Sequence, residues 1–68
     1  MILPGANVNT GSKVGKGCII NLGVTVDHDV VIEDGVHLCL RCIVKGENRI
    51  PRCEKIEAGE IIERATRV

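Results

Sequence analysis

Every sixth residue from Ile2 to the end of the chain is a branched aliphatic: Ile2, Val8, Val14, Ile20, Val26, Ile32, Leu38, Val44, Ile50, Ile56, Ile62 and Val68. Twelve of twelve sites are Ile, Leu or Val, although those residues fill only 22 of the 68 positions. Chance would give such a series in some phase roughly once in 10⁵ sequences, so it is read as a repeat before any other signal. A period of six is neither the 3.6 of a helix nor the 2 of a flat strand. It predicts a chain that turns a corner every six residues and stacks coil on coil.

The other positions of the repeat agree. With the aliphatic as position one, position five reads Ala6, Ser12, Cys18, Val24, Val30, Val36 and Cys42, all small. Position four reads Gly5, Gly11, Gly17, Gly23, Asp29 and Gly35, the residues that a corner at positive φ demands. Position two adds Asn9, Gly15, Asn21 and Asp27, read as the same turn chemistry. Positions five, six and one are therefore short strands pointing in, out and in, and positions two to four are the corner. Three sides close a triangle of about 18 residues, and the chain holds three to four such coils in a single domain, 1–68.

The pattern is regular over 2–46 and degenerate over 47–68. There Asn48, Glu54 and Glu60 occupy inward small sites. Burying unpaired carboxylates is costly, so the two glutamates are expected at the open end of the last layer, within reach of water. An alternative for Glu57–Arg67 is a short helix leaving the solenoid.

Composition narrows the function. The chain has no aromatic residue, nine basic and nine acidic residues, and no net charge. A thin-layered solenoid needs no large side chains, whereas nucleic-acid or anionic-membrane binding needs a basic surface. Neither nucleic acid nor membrane is expected as a partner. The start, Pro-Gly-Ala-Asn from Pro4, lacks the charged and apolar segments of a secretory signal, so reduced thiols and a cytoplasmic location are expected. Cys39, Cys42, Cys53 and Cys18 form a poor zinc set, because their spacing is unlike paired zinc knuckles. Inward packing explains Cys18 and Cys42, and no metal is expected.

The outward sites are Asn7, Thr25, Ile43 and Ile61 on one side, and Lys13, Val31, Arg49 and Arg67 on another. Ile19, His37 and Lys55 take the third. Exposed Ile19, Val31, Ile43 and Ile61 exceed what a lone solenoid needs and predict self-association.

Only two histidines occur. His28 stands in a corner between Asp27 and Asp29, and a carboxylate beside an imidazole suits it to act as a general base. The plainer reading is a solvated polar turn. The aliphatic, Gly or Asn/Asp, two variable residues and small residue pattern resembles the hexapeptide-repeat left-handed parallel β-helix. Within it, the stretch from Asn21 to Asp29 and on to Leu38 resembles the central segment of sialic-acid and nucleotide-sugar O- and N-acetyltransferases. The left hand comes from the resemblance, since general crossover rules favour the other.

The resemblance implies direct acetyl transfer from acetyl-CoA to a sugar or nucleotide-sugar hydroxyl or amine. His28 would be the general base and Asp29, in preference to Asp27, its orienting carboxylate. His37 and Gly46, at successive intervals of nine, would contact the acetyl group, with the Gly46 N–H donating to the thioester oxyanion. Ala58 would contact the coenzyme. It also implies a homotrimer, because His28 and His37 lie half a coil apart and would share a site only between copies. The family's small-Pro-Gly-Ala stretch is replaced by Cys39-Leu40-Arg41-Cys42, for which loss of the tight corner is expected. Two rival readings are a truncated non-catalytic trimerisation module and a γ-class carbonic anhydrase. The latter needs three histidines.

Overall fold

Alternating in–out side chains make each side of the triangle a short strand, and the left-handed residue after it makes the corner. A computed structural model describes residues 1–67; Val68, the last aliphatic of the series, lies outside the described residues. The chain forms three parallel sheets. Sheet I contains β1 (Asn7–Val8), β4 (Thr25–Val26), β7 (Ile43–Val44) and β10 (Ile61–Ile62). Sheet II contains β2 (Lys13–Val14), β5 (Val31–Ile32) and β8 (Arg49–Ile50). Sheet III contains β3 (Ile19–Ile20), β6 (His37–Leu38) and β9 (Lys55–Ile56), extended by a bridge from Ile2 to Ile20.

Every pairing joins residues 18 apart, as in Val8 with Val26 and Val26 with Val44. Such an all-β solenoid of about three turns matches the fold expected from the period. The strands are two residues long, at positions six and one, with position five buried just before them.

Inside the triangle, the aliphatics stack in columns. Val24, Val26, Val30, Val36, Leu38, Val44 and Ile50 are wholly buried, and Ile32 is 1% exposed. Each such side chain contributes ~1.5–3 kcal/mol on leaving water. The layers are narrow enough that Val and Ile fill them without an aromatic ring.

The corners are hydrogen-bonded along the axis as well as the sides. Every sixth residue from Gly5 to Ala65 has positive φ, including Asp29 (φ 56), Arg41 (φ 56), Glu47 (φ 62) and Cys53 (φ 61). In the later coils this residue's N–H donates to a carbonyl 19 residues earlier: Arg41 to Leu22 at 2.9 Å, Glu47 to His28 at 3.2 Å and Cys53 to Asp34 at 2.9 Å. The left-handed residue turns its amide along the stack, which repays a conformation costing ~1–2 kcal/mol for side chains other than glycine.

Two expectations about corners change accordingly. Cys39-Leu40-Arg41-Cys42 keeps its tight corner, with Cys42 N–H donating to Cys39 C=O at 3.3 Å, because the axial bond holds Arg41 left-handed. Gly15 does not share the position-four requirement, being absent from the positive-φ set. Its need is space, since a Cβ there would stand 2.8 Å from the Asp34 amide nitrogen.

The terminal coil remains in the solenoid, and Glu57–Arg67 forms no helix: β10 pairs with β7 in register. Asn48 is 2% exposed. It donates from Nδ2 to the Lys45 and Glu63 carbonyls, both at 2.8 Å, and accepts the Arg67 N–H at Oδ1, also at 2.8 Å. Fully bonded, the amide is tolerated where a hydrocarbon stood. Glu54 and Glu60 are half-buried. The first pairs with the Arg67 guanidinium, and the second accepts the Glu57 N–H at 3.2 Å.

The four thiols are free, with Cys18, Cys39 and Cys42 buried and Cys53 exposed. Burial pushes the Cys42 thiol up to about 11 from its ordinary 9.0, with Cys39 and Glu60 adding to the shift. The folded state thus favours the neutral thiol, so this contribution to stability is intact below pH 9 and lost as the pH rises through about 11. Iodoacetamide at neutral pH should modify Cys53 first and Cys42 only after unfolding, as read by peptide mass mapping. Ile32→Ala should cost ~2–5 kcal/mol in urea unfolding, because it empties the centre of a column closed above and below.

Candidate functional site

His28 is at position three of the repeat, the middle residue of the corner joining sheet I to sheet II, and its neighbours hold it from both sides. The Asp27 carboxylate accepts the His28 backbone N–H at 2.8 Å. Asn21 closes the Leu22 amide in the same way at 2.7 Å. Asp29, at the left-handed position, places Oδ2 3.2 Å from His28 Nδ1. The two aspartates therefore divide the work expected of them: Asp27 shapes the corner and Asp29 orients the ring. An imidazole donating its Nδ1 proton to Asp29 presents the lone pair of Nε2. The side chains of His28 and Asp29 are 47% and 66% exposed, so the pair is open to solvent and to ligands.

Gly46 stands one coil on, 18 residues from His28 and directly in register with it. A Cβ on Gly46 would lie 2.7 Å from His28 Nε2 and 2.9 Å from Cε1, so only glycine admits the ring in this position. The third-position amide is the one the axial ladder leaves out. At some corners a carboxylate or carboxamide accepts it, as Asp34 does for Lys16 at 2.7 Å and Glu33 does for Arg52 at 3.1 Å; at others, such as Leu40 and Ala58, no acceptor is found among the described residues. Lys45, which precedes Gly46, offers no acceptor. Among the described residues the Gly46 N–H donates to none. A ring nitrogen and an unengaged backbone N–H thus belong to adjacent coils of one corner column.

Charged residues frame this corner. Lys45 pairs with Glu63 at 3.0 Å and Arg64 with Glu47 at 2.9 Å, all largely exposed. Arg64 occupies the same column as His28 and Gly46.

His37 is elsewhere. It lies on the outward face of sheet III, in register with Ile19 and Lys55. That side of the triangle faces away from the His28 corner, so one chain does not bring the two imidazoles together. The His37 Nε2 is buried and has no hydrogen-bond partner among the described residues. Ala58 is exposed at the corner from sheet III to sheet I, in column with Leu22 and Leu40, and likewise stands apart from His28. A shallow groove of about 380 Å³ runs along sheet II between Lys13, Val31, Glu33, Asp34 and Arg52. It contains none of the candidate catalytic or coenzyme-contacting residues named from the sequence. Arg49 Nε, 2.6 Å from Glu33 Oε2, holds that carboxyl below its ordinary value.

Sequence reasoning placed Gly46 by two steps of nine from His28, and missed that the sum is one full coil. Adding 18 to each polar corner residue would have found the pair. No group of three or more His, Cys, Asp or Glu side chains converges among the described residues in a way that could hold a metal ion. No helix among them is long and apolar enough to cross a membrane.

No protein-family model matches the chain, and comparisons with curated proteins and with solved structures find no significant match. The stacked parallel coils are compatible with a hexapeptide-repeat fold.

Gly46→Ala should test the contact directly. The obstructing atom belongs to the mobile end of a side chain, so the stability loss should stay below about 1 kcal/mol. The His28 imidazole resonances should nevertheless shift in NMR spectra while those of His37 stay in place.

Proposed function

We propose that the chain is the core of an acetyl-CoA-dependent acetyltransferase acting on a sugar or nucleotide-sugar hydroxyl or amine. The observation that carries the reading is the His28–Asp29 pair set against Gly46. His28 Nε2 takes the proton from the acceptor oxygen or nitrogen as it attacks the thioester carbonyl. Asp29 holds the ring in the tautomer this requires and stabilises the imidazolium formed. The Gly46 N–H, left unengaged by its own fold, donates to the oxyanion that develops on the acetyl group. Collapse of that intermediate expels the coenzyme A thiolate, which takes up a proton, and leaves the acetyl ester or amide. Bound acetyl-CoA supplies the activated acyl group.

His37 belongs to the same reading only in an assembly. Its Nε2, buried without a partner among the described residues, and the exposed Leu22, Leu40 and Ile61, at 44%, 44% and 50% exposure, support association of copies through sheets I and III and the corner that joins them. In a homotrimer, His37 of one copy would approach the His28 corner of its neighbour beside the acetyl group. Ala58 would then border the coenzyme.

The decisive experiment incubates the purified chain with acetyl-CoA and a panel of amino sugars and nucleotide sugars, following thiol release. Turnover should appear, and His28→Ala should reduce it ~10²–10⁴-fold, the usual contribution of a general base. Asp29→Asn should reduce it less. Light scattering should give three times the monomer mass at micromolar concentration. Turnover unaffected by His28→Ala would remove the assignment. Stable trimers without acetyl-CoA binding would favour the non-catalytic module instead.

A further inference from the structure

The inward small site of one coil lies beneath the corner of the next, and in three places its side chain bonds to that corner. Ser12 Oγ donates to the Asp27 carbonyl at 2.5 Å, Cys18 Sγ to the Glu33 carbonyl at 3.1 Å, and Asn48 Nδ2 to the Glu63 carbonyl at 2.8 Å. Each bond spans 15 residues, from position five to position two of the coil above. Ser12 also accepts a bond from the coil above, as Asn48 does from the Arg67 N–H. Its Oγ accepts the Val30 N–H at 3.0 Å. One hydroxyl therefore joins both ends of the corner Asp27–Val30, and His28 and Asp29 are the two residues held between.

The bond to Val30 has a further effect. The Val30 N–H is the first amide after the corner, and Asp27 is the residue whose carboxylate fixes the His28 amide at 2.8 Å. The path from Ser12 to the imidazole is thus short: hydroxyl, Asp27 main chain, Asp27 carboxylate, His28 N–H. Loss of the hydroxyl would leave the Asp27 carbonyl and the Val30 N–H without their shared partner and let the corner draw in to the direct bond that closes others, as Val24 N–H to the Asn21 carbonyl at 3.4 Å and Cys42 N–H to the Cys39 carbonyl at 3.3 Å. The ring would then leave the narrow space that Gly46 provides.

We infer that Ser12, read from the sequence only as a small packing residue, is a positioning residue for His28: it stands between the two ends of the corner and sets their spacing, so that the imidazole stays between Asp29 and Gly46. It touches neither the ring nor any reacting atom. The inference rests on the proposed role of His28, but its test does not depend on turnover.

The test records the His28 and His37 imidazole resonances across a pH titration of the wild-type chain, Ser12→Ala, Ser12→Thr and Ser12→Cys. Ser12→Ala should displace the His28 titration curve and leave that of His37 in place, and the Val30 amide should exchange at least tenfold faster. Ser12→Thr keeps the hydroxyl and should restore all three. Ser12→Cys keeps the shape with a weaker donor, as Cys18 shows the site admits, and should fall between; it also serves if the alanine variant does not fold. An unchanged His28 curve, an equal displacement of His37 or failure of threonine to restore the wild-type values would each overturn the inference. If wild type shows no acetyl transfer while these shifts occur, the proposed function fails and the positioning role stands.

Discussion

Axial register is the constraint on which the structure depends. A residue and its counterpart 18 positions later sit one above the other, on the sides through strand pairing and at the corners through the amide of the left-handed residue. Once that spacing is set, each of the 18 positions of a coil becomes a column with a single environment. Inward columns admit Val, Ile, Leu and small residues because the layers are thin. The left-handed column must tolerate positive φ, and Asp29, Arg41, Glu47, Cys53 and Ala65 do so because an axial hydrogen bond offsets the strain. A chain lacking aromatics and a long hydrophobic run still closes a core, since every coil reuses the floor of its neighbour.

Polar residues enter the interior where the column above supplies partners. Ser12, Val30, Asn48 and Thr66 share one inward column. In it, Ser12 and Asn48 are bonded to the coils above them, and Thr66 Oγ1 donates to the Glu63 carbonyl at 2.7 Å. This column runs behind the His28 corner. The other inward columns are apolar until the final coil, where Glu54 and Glu60 meet Arg67 and the Glu57 amide. Hydrogen-bonding capacity is therefore concentrated at the corner that carries the imidazole, and the polar terminal coil closes the stack without leaving the fold.

Much of this was legible in the sequence for a simple reason. The aliphatic period reports burial, and burial in a solenoid depends on position within the repeat alone. The helix considered for Glu57–Arg67 and the lost corner at Cys39–Cys42 came from judging single hexapeptides by their residues. In the structure, the coil below decides, since Arg41 is held by Leu22 and Ala65 by Gly46. The same error hid the contact of His28 with Gly46, which exists only between coils. Hydroxyl bonding at Ser12 was invisible because smallness and a hydrogen-bonding role make the same demand on residue type at that position. His28 with Asp29 was readable because that interaction is local, between adjacent residues at a corner whose geometry the repeat already specifies.

The 18-residue turn also separates two kinds of chemistry by simple arithmetic. Groups 18 apart meet within one chain, as His28 and Gly46 do. Groups nine apart, such as His28 and His37, fall on a corner and on the side opposite it, so no rearrangement of side chains joins them while the coil persists. A proton acceptor and a backbone donor are thus properties of the single prism, and anything that requires both imidazoles is a property of copies packed side by side. The Nε2 of His37 lies on an outward face, buried without a partner among the described residues. A polar atom shielded by its own neighbours retains its desolvation cost until another surface brings it a partner.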